Sequence, residues 1–179
     1  VMPGLKSWSG SMFEYLMPSL VMREPNQGLL HISGQAAVVE QQAYARSQAL
    51  PWGVSESAYF AQDHSLAYQY SPFGVPRLAL RRTPPNEHVI APYATAMATM
   101  FMPREALANL RHLEQLHGRG DYGFMDALDF TASRQPQRAS TTRVTMLARP
   151  GLIPGSGSGI AASATVSTIA AAAWRAMRR

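Results

Sequence analysis

The chain has no cysteine. This excludes disulfides and thiolate chemistry and agrees with a reducing compartment. No apolar run approaches the roughly 18–20 residues that cross a bilayer as a helix, and Val1-Met2-Pro3-Gly4-Leu5-Lys6 carries no secretory core. No phosphate-cradling glycine loop is present. The histidines, His31, His64, His88, His112 and His117, lack metal-ligand spacing. Neither a metal nor a cofactor is therefore expected. Acids are missing from one stretch: residues 134–179 hold seven Arg and no Asp or Glu, whereas nine Lys or Arg face eleven acids before it. The net charge of +5 thus belongs to the C-terminal end. Such a basic stretch could touch nucleic acid or anionic lipid. These arginines are scattered without interleaved aromatics, so nucleic acid is not an expected partner.

With 179 residues, 46% hydrophobic and 15% charged, the chain can bury one domain-sized core. Residues 11–23 read as an apolar helix interrupted at Pro18. Residues 31–48 read as a second, with Ile32, Ala36, Val39, Ala43 and Tyr44 at helical spacing. Pro51 and Gly53 stop it and open a loop. Residues 62–90 look irregular, and 92–101 could form a helix led by Pro92. The clearest helix is 103–117, with Pro103 at its start, Glu105 near its positive end, Leu107, Leu110, Leu113 and Leu116 on one face, and Gly118 as a stop. Strand signals are few: Arg77–Arg81 and His88–Ile90 are short. An all-α scaffold with long functional loops is the expectation. From Gln137 the chain turns to Ala, Ser, Thr, Gly and Pro, including Pro154-Gly155-Ser156-Gly157-Ser158-Gly159, a linker composition. Two regions follow: a domain over residues 1–136 and a low-complexity basic tail over residues 137–179.

Pro51-Trp52-Gly53-Val54-Ser55-Glu56-Ser57-Ala58-Tyr59 sets one carboxylate between two aromatics in a turn-prone run. Carboxylates move the glycosidic proton or attack the anomeric carbon, and flat rings stack on sugar faces. A Glu beside a core Trp would give the same string. A second run, Ser7-Trp8-Ser9-Gly10-Ser11-Met12-Phe13-Glu14-Tyr15, repeats the composition. Glu56 is the first candidate for catalysis and Glu14 the second, although Glu14 could instead bond only loop backbone. Trp8, Trp52, Tyr59, Tyr68 and Tyr122 are candidate stacking platforms or core residues. Asp63 could orient Glu56, hold a sugar hydroxyl, or cap a loop. Arg119 and Asp121 could bind sugar or pair with each other. Asp126 and Asp129 follow the aromatic Tyr122-Gly123-Phe124 run.

These runs, with Tyr68-Gln69-Tyr70-Ser71-Pro72-Phe73-Gly74-Val75-Pro76 and Ile90-Ala91-Pro92-Tyr93-Ala94-Thr95-Ala96 in the same order, resemble the glucoamylase-like central domain of cyclic β-1,2-glucan synthases over about residues 4–134. The resemblance implies part of an (α/α)6 barrel, incomplete here, with loops forming a glucan cleft. Twelve helices at about 11–12 residues each, plus loops, exceed what residues 1–134 supply. It implies a fragment that acts on β-1,2-glucan by transglycosylation (cyclisation) or hydrolysis. The alternative is a non-catalytic glycan-binding or assembly segment of a larger membrane glucan synthase. Implied partners are β-1,2-glucan or a related oligosaccharide and the remainder of a synthase polypeptide. The implied location is the cytoplasm or the cytoplasmic side of the inner membrane. The family's other acid is implied to lie N-terminal to Val1. Two departures stand out: Arg77 where a small residue is expected, and the family's next helix replaced after Arg134. The replacement has the composition that a shifted reading frame in a GC-rich gene would give.

Overall fold

A computed structural model describes residues 4–84 and 86–134. The tail 137–179 lies outside the described residues. Four helices, α1 (Met12–Val21), α2 (Leu29–Gln48), α3 (Pro92–Met97) and α4 (Pro103–Gln115), alternate with three two-stranded antiparallel ladders. The ladders are β1 (Glu56–Gln62) with β2 (Tyr68–Pro72), β3 (Val89–Ile90) with β6 (Leu128–Asp129), and β4 (Arg119–Gly120) with β5 (Gly123–Phe124). Short 3-10 turns follow α3 (Ala98–Met100) and β6 (Ala132–Arg134). The expectation of an all-α fold therefore needs correcting: β1 and β2 form a hairpin where the sequence reads as loop. Their pairing, Glu56 with Pro72 and Ala58 with Tyr70, is supported from outside the hairpin. Asp126 and Asp129, nearly seventy positions away, accept the Ala58 and Phe60 amides at 2.9 and 3.1 Å. That support cannot be seen in the local sequence.

Helix α1 starts with a capping box that spans Ser11 and Glu14. The Ser11 hydroxyl accepts the Glu14 amide at 3.4 Å, and the Glu14 carboxylate reaches back over the entering chain. The expected interruption at Pro18 does not occur. The proline ring removes one intrahelical donor, yet the helix runs on to Val21, and the Met22 amide closes it on Pro18 O at 2.9 Å.

Helix α2 buries a stripe one step away from the expected one: Ser33, Gly34, Ala37, Val38, Gln41 and Ala45. Ile32, Ala36, Val39 and Ala43 are only half-buried. Gly34 explains the choice, because a Cβ there would lie 2.8 Å from the Phe101 ring and 3.3 Å from Leu16. The helix–helix contact selects the smooth side, not the most apolar one. Ala49 ends α2 in the left-handed region, with the Leu50 amide bonded to Ala45 O at 3.0 Å.

Met12, Leu16, Val38, Trp52, Val54, Ile90, Met97, Leu113 and Leu128 form the centre of the core, drawn from all four helices and from β3 and β6. Arg77–Arg81 makes no ladder of its own. Ala79 forms a single bridge with Ser7, and Arg77 pairs with Glu40 of α2 at 3.1 Å. Among the described residues no helix is long and apolar enough to cross a membrane.

Candidate functional site

The strap Pro51–Ser55 is buried throughout. Buried backbone has to be hydrogen-bonded, and here polar side chains from three helices do it. Gln41 of α2 donates to Val54 O at 2.7 Å and accepts the Val54 amide at 2.8 Å. Asn109 of α4 donates to Trp52 O at 2.8 Å, and Thr95 of α3 reaches the same carbonyl at 3.2 Å. From α1, the Met12 amide bonds Val54 O at 3.1 Å and the Phe13 amide bonds Ser55 Oγ at 3.0 Å. Gly53, at φ +119, is required: a Cβ would stand 2.6 Å from Thr95 Oγ1. Tyr93, buried at the start of α3, bonds Ser55 Oγ at 2.9 Å and the Glu56 carbonyl at 2.6 Å. The strap thus delivers Glu56 at a fixed point where buried chain turns into half-exposed strand.

A second loop meets it there. Gly10 and Gly74 let two segments cross, because a Cβ on Gly74 would fall 1.8 Å from Ser9 O. The Val75 amide bonds Gly10 O at 3.0 Å, and the Leu80 and Arg81 amides bond Ser7 O and Trp8 O. The Glu14 carboxylate accepts the Ser9 and Gly10 amides at 3.0 and 3.1 Å. Partial burial works to raise its pKa. The Ser7 and Ser9 hydroxyls and the Ser9 and Ser11 amides outweigh this and hold it below the ordinary carboxylate value.

Glu56 moves the other way. Partial burial raises its pKa, the negative Glu14 adds to the rise, and the Tyr70 hydroxyl opposes it. Tyr70 is itself pushed up by burial, then by Glu56 and Asp126. Tyr93 is pushed well up, chiefly by burial. One neighbourhood therefore holds Glu14, Glu56, Tyr70, Tyr93 and Asp126, with Trp8 67% exposed in the loop that binds Glu14.

The remaining sequence candidates stand elsewhere or do other work. Trp52 is buried in the core, 8% exposed. Tyr59 packs edge-on against Phe73 with ring centres 5.3 Å apart. Asp63 closes the β1–β2 turn, where it accepts the Ser65 and Ala67 amides and the Ser65 hydroxyl, so its pKa is lowered. Tyr68 is half-buried on β2 opposite Gln62. Arg119 pairs with Glu114 at 2.7 Å, and Tyr122 projects fully into solvent from the β4–β5 tip. Tyr70, Tyr93 and Gln41 were not singled out from sequence. The available signals were the runs around Tyr70 and Tyr93, which give no hint of which tyrosine lies beside Glu56.

Sequence comparison with known proteins gives the family. A family model described as "Putative glucoamylase" (Glycoamylase) matches residues 3–154. The cyclic β-(1,2)-glucan synthase NdvB of Rhizobium meliloti (strain 1021) is 51% identical over 133 residues, which is 74% of this chain and 5% of that protein. An endo-β-1,2-glucanase from Chitinophaga pinensis, solved with sophorotriose and glucose, superposes with a TM-score of 0.47 at 17% identity, over 70% of this chain and 30% of that one. The chain belongs to the Glycoamylase family.

Proposed function

We propose that the chain is a piece of a larger carbohydrate-active domain that acts on β-1,2-glucan, by transglycosylation or hydrolysis, with Glu56 as its proton donor. The observation that carries this reading is the pair Glu14 and Glu56, whose surroundings displace them in opposite directions beside an exposed Trp8. Two carboxyl groups driven apart in this way divide the roles of acid and anion. A protonated Glu56 would give its proton to the glycosidic oxygen as the bond to the leaving sugar breaks. Glu14, its oxygens held by backbone amides, acts through Glu56 as a fixed negative charge. Trp8 would stack on a glucose face. The β-1,2 linkage comes from the names of the synthase and of the glucanase.

The rest of the domain is proposed to lie in a longer polypeptide, as further helices of an (α/α)6 barrel at the cytoplasmic face of a membrane synthase. The half-buried apolar residues Ile32, Ala36 and Val39 of α2 support this. So does an open cleft of about 640 Å³ between α2 and α4, lined by Ala45, Leu50 and Ala108 alongside Gln42, Arg46 and His112. A further helix would cover such surface. The isolated chain is accordingly expected to bind β-1,2-gluco-oligosaccharides without turning them over.

The test is calorimetric titration of the chain with β-1,2- and β-1,4-linked gluco-oligosaccharides. Preference for the β-1,2 series and about a tenfold loss of affinity in Trp8→Ala are expected. Equal or absent binding of both series would sink the proposal. In the longer polypeptide, Glu56→Gln should keep binding and lower turnover by about 10²–10⁴-fold. A polypeptide with binding but no turnover to lose would instead mark a glycan-binding segment.

A further inference from the structure

Four titratable side chains share the neighbourhood of Glu56: Glu14 from α1, Tyr70 from β2 and Tyr93 from α3 act on it directly, and Asp126, from the segment before β6, acts on the two tyrosines. Three are committed to backbone or loop. Glu14 accepts the Ser9 and Gly10 amides, Tyr93 bonds Ser55 Oγ and the Glu56 carbonyl, and Asp126 accepts the Ala58 amide at 2.9 Å. Tyr70 differs: it shares one face of the β1–β2 hairpin with Glu56, and its hydroxyl is near enough to the Glu56 carboxyl to oppose the rise in its pKa.

The strand register explains why. Glu56 lies opposite Pro72 and Ala58 opposite Tyr70, so Glu56 and Tyr70 are diagonal neighbours on one face of the hairpin. Diagonal pairs are about 7–8 Å apart, within reach of a long carboxylate and a phenol. Slippage by one residue would put the two on opposite faces. The register is pinned on β1 by Asp126 and Asp129, and at the end of β2 by the Arg81 guanidinium on Pro72 O. Tyr70 stays 52% exposed, which leaves its ring at the rim of the site.

We propose that Tyr70 is the positioning residue for Glu56: its hydroxyl holds the carboxyl in one orientation and steadies the charge left when the proton departs. The role rests on the reading of Glu56 as the site's acid. A phenol that donates to a carboxylate favours the ionised form. Tyr70 therefore opposes the effect of burial and Glu14, and sets how far above the ordinary range Glu56 can keep its proton.

The experiment is a pH titration of the full 179-residue chain carrying 13C-carboxyl glutamate, followed by NMR, with Glu56→Gln identifying the Glu56 signal. Tyr70→Phe should move the Glu56 midpoint to higher pH. A fluorinated tyrosine placed at position 70, a stronger donor of nearly the same shape, should move it to lower pH. An unchanged midpoint in both variants, or a fall in Tyr70→Phe, would overturn the proposal. If Tyr70→Phe fails to fold, the fluorotyrosine arm alone decides. The readout needs no sugar, so absent glucan binding would count against the function of Glu56 and leave the Tyr70 pairing standing.

Discussion

Two kinds of region in which aromatics lie close in sequence to charged residues are built in opposite ways. The strap that carries Glu56 is wired from a distance: Gln41, Asn109, Thr95, Tyr93 and two α1 amides bond it across separations of up to 57 residues. The β1–β2 turn and the β4–β5 tip satisfy themselves locally. Asp63 bonds residues two and four positions on, and Arg119 bonds Glu114 five positions back. Remote, buried bonding fixes a side chain in space, which is what chemistry on a bound substrate needs. Local bonding only shapes a turn. The contrast identifies Glu56 as a placed residue and Asp63 and Arg119 as residues of the surface.

The largest effect should come from cutting the remote wiring. Gln41→Leu removes both amide bonds to Val54 while nearly keeping volume. The Val54 carbonyl still has the Met12 amide, but its own amide would be buried without a partner. The Gly53 amide loses its longer bond to Gln41 as well, and two orphaned buried donors together with the lost bonds should cost about 3 kcal/mol, measured by urea unfolding. A loss under about 0.5 kcal/mol would mean that water replaces the amide and that the strap is not rigidly held.

The same contrast explains what could be read from the chain. Helix α4 was legible because its determinants are its own: Pro103 at the start, Glu105 in the first turn, Leu110 and Leu113 inward and a glycine beyond the end. Its inward Asn109 was not, since a buried amide makes sense only once Trp52 lies against it. The stripe on α2 was misread for the same reason, as Gly34 matters only opposite Phe101. The β1–β2 hairpin passed for loop because its partners, Asp126 and Asp129, lie far along the chain. Glu14 and Glu56 stood out through their neighbours in sequence, but their opposite electrostatic displacement comes from what folding places around each: burial and the negative Glu14 around Glu56, and the hydroxyls and amides of the entering loop around Glu14.

A middle-sized effect follows from that displacement, and its two halves carry opposite signs. The folded-state pKa of Glu56 is raised, so the native protein binds more protons than the unfolded chain between the ordinary value and the raised one. Stability should fall as pH climbs through that window, and Glu56→Gln should be more stable than the parent at pH 7 but not at acid pH. The folded-state pKa of Glu14 is lowered, so its contribution is present above the ordinary carboxylate value and lost as pH falls through the lowered one. Glu14→Gln should therefore be less stable than the parent at pH 7, with the gap closing at low pH. Urea midpoints of the three proteins from pH 3 to pH 8 supply the check, and parallel pH profiles would refute the division of roles.

The smallest effect should come from the locally bonded tip. The Arg119–Glu114 pair is close at 2.7 Å, but its side chains are 42% and 37% exposed. Water screens such a pair, and ordering two long side chains offsets most of its attraction. Arg119→Ala should cost less than about 1 kcal/mol, and the loss should shrink further in 0.5 M salt. If the tip is also remote from substrate, the same variant should leave oligosaccharide affinity unchanged while Trp8→Ala lowers it. A tenfold loss of affinity in Arg119→Ala would erase the distinction between the two regions, because a residue held only by its neighbours would then be reading the sugar as well.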